Sequence, residues 1–287
     1  MKIAVLGATG LLGQELMRES GARGFAATGI ARSGTDIDVD VTCADALRTA
    51  LDAIEPELVI NAVADVNLAR CEREPGAAYV VNAGVAATLA DYCAAHGTAL
   101  LQISTDHYYT SDGDRLHAED APVQLVNEYA RTKYAGEAFA LTHARSLVLR
   151  TNIVGFRGWR DRPTFVEWAI GALKAGDDMT LFDDFFTSSI DVPTFSAAAL
   201  ELTQRGAQGV LNVAAREAAS KAGFVLALAR ELGLPTSRCR VGALPTRDNV
   251  RRAESLGLDV TRAENLLGYA LPDTASVIRS LAAHYRK

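Results

Sequence analysis

Lys2-Ile3-Ala4-Val5-Leu6-Gly7-Ala8-Thr9-Gly10-Leu11-Leu12-Gly13 opens the chain. Its apolar start, closed by glycine, reads as a strand buried on both faces. Glycines at 7 and 10 allow a tight turn whose backbone can approach a pyrophosphate, which then rests on the positive end of the next helix. Gly13 lets that helix pack closely on the strand. Thr9 sets the stretch apart from a simple GxGxxG, and three glycines alone would also suit a merely structural turn. Their place directly after an N-terminal strand favours dinucleotide binding. Gly7, Thr9, Gly10, Leu11, Leu12 and Gly13 are the expected contacts.

Beyond the turn, short apolar runs alternate with longer helical patterns. Strands are expected at 2–6, 26–31, 58–61, 99–103 and 146–150, and helices at 11–19, 45–54, 77–96 and 126–144. Such alternation predicts right-handed βαβ units and an α/β Rossmann-type, doubly wound parallel sheet covered on both faces. After residue 150 the pattern loosens. It predicts helices at 164–175, 220–232 and 277–284, strands at 180–184 and 209–213, and turns at Gly233, Pro235, Pro245, Gly257 and Gly268. The expected organisation is a nucleotide-binding domain over 1–150 and a smaller substrate-binding lobe over 151–287, with elements of the second returning to the sheet.

The 287 residues are 49% apolar and 22% charged, enough for a sizeable core and too apolar for disorder. A net charge of −6 and scattered basic residues argue against nucleic-acid binding. Cys43, Cys71, Cys93 and Cys239 lack paired spacing, as expected of reduced thiols in a cytoplasmic protein without a zinc site. The opening apolar run is too short for a signal peptide, and no run of about 18 apolar residues suggests a membrane span. The five histidines lack HExxH spacing, so no metal site is expected.

At the end of the second strand stand Arg32 and Ser33, where a site for NAD would carry an acid for the ribose hydroxyls. Arg32 can pair with a 2′-phosphate and Ser33 can add a hydrogen bond, which favours NADP(H) and leaves NAD(H) as the alternative. A solvated arginine is the plainer reading. Asp40, with Val41, could offer a carboxylate to an adenine amino group, or simply be solvated.

Tyr129 and Lys133 lie four residues apart, on one face of a predicted helix. A lysine ammonium beside a phenol favours its ionised form and lowers its pKa from about 10. Such a tyrosine can pass a proton to a carbonyl that receives hydride. Asn61 and Ser104-Thr105 end two other strands, at the same sheet edge as the glycine turn.

These elements resemble the extended short-chain dehydrogenase/reductase superfamily, and within it the dTDP-4-dehydrorhamnose reductase family. The likeness runs through the glycine turn, Asn61-Ala62-Val63-Ala64, Val81-Asn82-Ala83, Ser104-Thr105-Asp106, Tyr129 with Lys133 and Gly136-Glu137, and Leu149-Arg150-Thr151. It continues in Gly209-Val210-Leu211-Asn212-Val213-Ala214 and Leu258-Asp259. The resemblance implies that Tyr129 is the acid/base, that Lys133 holds the nicotinamide ribose, and that Thr105 binds the substrate oxygen. It implies that Ala62, Val63 and Ala64 line the cofactor channel and that Asp106 touches substrate. Arg150 and Glu137 are expected to be scaffold. The implied reaction is reduction of a nucleotide-linked 4-keto-6-deoxy sugar, and the superfamily leaves open a homodimer.

The chain departs from the family where substrate is met. His107-Tyr108-Tyr109 replaces Tyr-Val-Phe, Asn152-Ile153 stands where an aromatic residue is common, and Phe185-Phe186-Thr187-Ser188-Ser189 replaces a Gly-Ser-Pro-Thr segment. His107 and Asn152 are carried as substrate-site candidates, although a loop histidine is more often a hydrogen-bonding residue. Phe182, Phe185 and Phe186 could stack on a nucleobase or pack on the core. Arg157, Arg160 and Arg162, around Trp159, could clamp a diphosphate or be solvated. Two other readings share the motifs: an epimerase or dehydratase that retains NAD, and a non-catalytic nucleotide-binding regulatory subunit.

Overall fold

The computed structural model describes residues 1–159, 161–243 and 250–286. Pro245 and Arg160 lie outside them. The chain divides into two compact units, one comprising Met1–Thr105, Leu125–Arg150 and Ser196–Leu211, the other Asp106–Gln124, Thr151–Phe195 and Asn212–Lys287. The division crosses residue 150 in both directions.

The first unit is built on a seven-stranded sheet. Its spatial order is Gly209–Asn212, Ser146–Arg150, Ala99–Ile103, Leu58–Asn61, Lys2–Leu6, Ala26–Ala31 and Ile37–Asp38. Pairing is parallel from Ser146–Arg150 through to Ile37–Asp38, for example Leu6 opposite Asn61 and Asn61 opposite Gln102. Ile3, Leu6, Val59 and Ile60 are wholly buried because helices cover both faces. From Lys2–Leu6 the chain steps outward to Ala26–Ala31, then returns to the other side as Leu58–Asn61. The strand order reverses there, which opens a crevice at the strands' carboxyl ends. Leu6, Ile30, Leu47, Leu51, Leu89, Leu100 and Val148 share the core on one face.

The single helix expected over 77–96 is three segments. Pro75–Tyr79 is α-helical, Val80–Gly84 is a π turn, and Val85–His96 resumes the α-helix. The wider π turn coincides with Asn82, whose buried amide is engaged on both sides. The helix expected over 126–144 is Glu128–Ala140, started by Asn127, whose side chain accepts from the amide of Ala130.

The second unit holds smaller sheets. Ala219–Ser220, Phe186–Thr187, Ser255–Leu258 and Leu116–His117 lie side by side, and Cys239–Gly242 pairs in parallel with Met179–Phe182. Helices Phe165–Ala175, Lys221–Leu232 and Thr274–Tyr285 pack around Val166, Ile170, Phe224, Leu228 and Leu281. Thr164 and Glu167 close a capping box at the first of these helices. Among the described residues no helix is long and apolar enough to cross a membrane.

Candidate active site

Gly7 has φ +79°, and its amide donates to the carbonyl of Ile30 at 2.8 Å. A Cβ on Gly13 would stand 2.0 Å from the Gly7 oxygen, and one on Gly7 would stand 3.1 Å from the Ala62 oxygen. Position 13 therefore has no room for a side chain, and position 7 favours glycine by its positive φ and its close approach to Ala62. Helix Leu11–Ala22 begins at Gly10 with no side-chain cap and no acidic residue in its first turn. Its first amides are thus left to an outside acceptor, and no carboxylate opposes an anion there. The cradle fits a dinucleotide pyrophosphate. Thr9, Leu11 and Leu12 belong to the same turn, Leu12 being buried.

Arg32 and Ser33 are exposed beyond the second strand. Asp36 folds back so that its carboxylate accepts from the Gly29 amide at 2.7 Å. Asp40 accepts from the Thr42 hydroxyl at 2.7 Å and the Thr42 amide at 3.0 Å, and these bonds hold its pKa below the usual carboxylate value. The same oxygen takes both bonds, so Asp40 closes a turn before helix Ala44–Ile54. Val41 is buried in the core.

Asn61 is buried at the end of its strand, donates to Gln102 at 2.8 Å and accepts from the Val63 amide. That pair sets the course of Ala62, Val63 and Ala64. Asn82 then accepts from the Asp65 amide at 2.7 Å and donates to the hydroxyl of Thr132 at 2.9 Å. Close approach is possible because residue 136 is glycine: a Cβ there would lie 2.3 Å from the Asn82 oxygen.

Thr132 precedes Lys133. The buried ammonium of Lys133 donates to the carbonyl of Ile103 at 2.8 Å. Burial lowers its pKa to about 8, against the raising effect of Glu137, so it remains mainly charged at neutral pH. Two residues beyond Ile103 comes Thr105, also buried. Tyr129, one turn before Lys133, packs with Leu68, Cys71 and Ala78. Beneath them, Ser104 donates to Glu137 at 2.5 Å, and Arg150 grips the same carboxylate at 2.8 Å. Ser104, Glu137 and Arg150 form a buried frame that fixes the strand end to the helix.

In the second unit Asp106 is only 1% exposed. Its carboxylate accepts from the amide of Asn152 at 2.8 Å. The His107 ring lies 3.8 Å from Asp106, beyond hydrogen-bond reach. Burial first, then the charges of Lys221 and Arg252, push its pKa down to about 4, so the ring is neutral at physiological pH. Lys221 escaped the sequence reading. Its ammonium lies 4.3 Å from the centre of Phe165 and 5.8 Å from that of Phe185. A cation in the first turn of a helix opposes the helix dipole, and Ser220-Lys221 ahead of an apolar run carried that signal. Arg157 stacks on Trp159 at 4.4 Å and donates to the carbonyl of Arg162.

A model of the RmlD substrate binding domain family matches residues 1–286. The chain is 28% identical over 291 residues to a probable low-salt glycan biosynthesis reductase, Agl14, of Haloferax volcanii, covering 98% of this chain and 97% of that one. It is 31% identical over 246 residues to a dTDP-4-dehydrorhamnose reductase of Mycolicibacterium smegmatis, covering 83% and 72%. A crystal structure of dTDP-4-dehydrorhamnose reductase from Bacillus anthracis in complex with NADP superposes with a TM-score of 0.86. It covers 99% of this chain and 98% of that one at 22% identity.

Proposed function

The chain belongs to the RmlD substrate binding domain family, and from that premise we propose that it is an NAD(P)H-dependent reductase of a nucleotide-linked 4-keto-6-deoxy sugar. One observation carries the reading: Lys133, one helical turn from Tyr129, is anchored to the carbonyl of Ile103, two residues before Thr105. The named activity of the M. smegmatis relative supports the substrate class. Arg32 and Ser33, exposed at the strand end, and the NADP held by the B. anthracis relative support NADPH over NADH.

When bound, the reduced dinucleotide supplies the hydride. The rest falls to side chains. Tyr129 gives its phenolic proton to the ketone oxygen, and the Thr105 hydroxyl donates a hydrogen bond to the same atom. The Lys133 ammonium favours the phenolate left behind and holds the cofactor's ribose. Asn82, through Thr132, and Glu137, through Ser104, keep donor and lysine in register. The first amides of helix Leu11–Ala22 hold the pyrophosphate.

Tyr129→Phe tests the reading. NADPH oxidation with dTDP-4-keto-6-deoxy-L-mannose should fall by ~10²-fold or more, while dinucleotide binding survives. Undiminished turnover would refute the proton-donor role. Copurified oxidised NAD with no net use of added NADPH would instead indicate an epimerase or dehydratase.

A further inference from the structure

Within the first unit, one short helix meets Tyr129 at both its ring and its backbone. Helix Leu68–Arg73 starts at Asn67, whose side chain accepts from the Arg70 amide at 2.9 Å. Its Leu68 and Cys71 pack in one cluster with Tyr129. Glu72 follows, and its carboxylate accepts from the backbone amide of Glu128 at 2.8 Å. On the other side of Tyr129 in the chain, the Ala130 amide is held by Asn127. Tyr129 therefore stands between two tethered amides. The first amides of a helix have no partner inside it, and the carboxylate of Glu128 itself is turned to Arg131. The acceptor for the Glu128 amide comes from 56 residues upstream, which fixes how helix Glu128–Ala140 sets out from helix Leu68–Arg73.

The short helix is in turn fastened to its surroundings. The buried carboxylate of Asp65 accepts from the Arg70 guanidinium at 2.6 Å and from the Asn67 amide at 3.2 Å. The Asp65 carbonyl accepts from the Cys71 thiol at 3.6 Å and from the side-chain amide of Asn82 at 3.1 Å. Asn82 also donates to the Thr132 hydroxyl, and that hydroxyl donates to the Tyr129 carbonyl at 2.9 Å. A closed circuit thus runs from Tyr129 through Thr132, Asn82 and Asp65 to Cys71 and back. Burial, then the charge of Asp65, push the Cys71 pKa up to about 11, so the group behind the phenol stays an uncharged thiol.

A proton donor misplaced by about 1 Å can lose ~10²-fold in rate. We propose that Glu72 is a positioning residue for the reduction, seating Tyr129 through the Glu128 amide, with Cys71 as the wall behind the ring. This rests on the reductase reading for the role of Tyr129, and one of its tests needs no turnover. Glu72 is exposed, so its replacement opens no cavity.

Three variants separate contact from charge. Glu72→Gln keeps an acceptor oxygen at the same reach without the charge. Glu72→Asp keeps the charge but withdraws it by one methylene, and Glu72→Ala removes both. With dTDP-4-keto-6-deoxy-L-mannose, kcat should fall ~5- to 20-fold in E72A and E72D, for a shift well below 1 Å, and E72Q should restore most of it. KM for NADPH should hold in all three, because the pyrophosphate cradle lies at Gly7–Gly13. In protein labelled with ¹³Cζ-tyrosine, the NMR line lost in Tyr129→Phe should be single in wild type and E72Q. In E72A and E72D it should broaden or double. An unmoved Tyr129 line in E72A overturns the proposal, as does a changed line with undiminished kcat. A wild-type E72D beside a defective E72Q also overturns it, since charge and not contact would then matter. Should E72A not fold, the contrast between E72D and E72Q decides alone. A wild type that reduces no keto sugar, but whose Tyr129 line doubles in E72A, would retain the seating and discard the reductase reading. Full reduction by wild type with an unmoved line in E72A would do the reverse.

Discussion

Lys133 keeps its charge in a place where burial works against it. With a pKa lowered to about 8, the ammonium is present through neutrality and is lost as pH rises through that value. The rate of ketone reduction should accordingly stay level to about pH 8 and fall above it. Lys133→Arg, whose guanidinium does not titrate in that range, should move the fall upward; a pH profile of kcat/KM checks both. Arg150 is a second case of charge under cover. Arg150→Ala leaves the Glu137 carboxylate buried and half-paired, which should cost about 3–5 kcal/mol in urea unfolding. Arg150→Met with Glu137→Leu should recover much of it. That Tyr129 and Lys133 share one helix was legible in the sequence, because a spacing of four has a direct meaning there. The surroundings of Lys221 were not, because Phe165 and Phe185, whose rings its ammonium faces, are distant from it along the chain.

At the scale of elements, the π turn Val80–Gly84 and helix Glu128–Ala140 meet through Asn82, Thr132 and Gly136. Gly136→Ala should force them apart. The expected result is about 1–3 kcal/mol less stability, seen as a lower Tm, with a raised KM for the dinucleotide because Lys133 follows Thr132. An unchanged Tm and KM would show that the contact can yield freely. Strands and helices of the sheet were readable from alternating apolar runs. The π turn was not, since residues 77–96 are helix-compatible throughout and only the tertiary partners of Asn82 widen the backbone there. The sequence likewise could not show that Asp40 closes a turn with Thr42.

For the whole molecule, connectivity is the main lesson. The parallel sheet was foreseeable from the order of strands, and so was the late return of the strand near 209. Unforeseeable was the excursion of 106–124, whose strand Leu116–His117 pairs with Ser255–Leu258. No local signal marks a segment that pairs so far ahead. A fragment of residues 1–150 should therefore fail to behave as a folded domain. It would leave Ser146–Arg150 as an open sheet edge and strand 116–117 without its neighbour. Size-exclusion chromatography should show aggregates; a monomer that unfolds cooperatively would contradict this. The same connectivity bears on birth at the ribosome. The strand at one edge of the sheet, Gly209–Asn212, can dock only after everything from 151 to 208 has been translated. Until then the nascent sheet carries an uncovered border, and the interval in which a chaperone is useful is set by that delay.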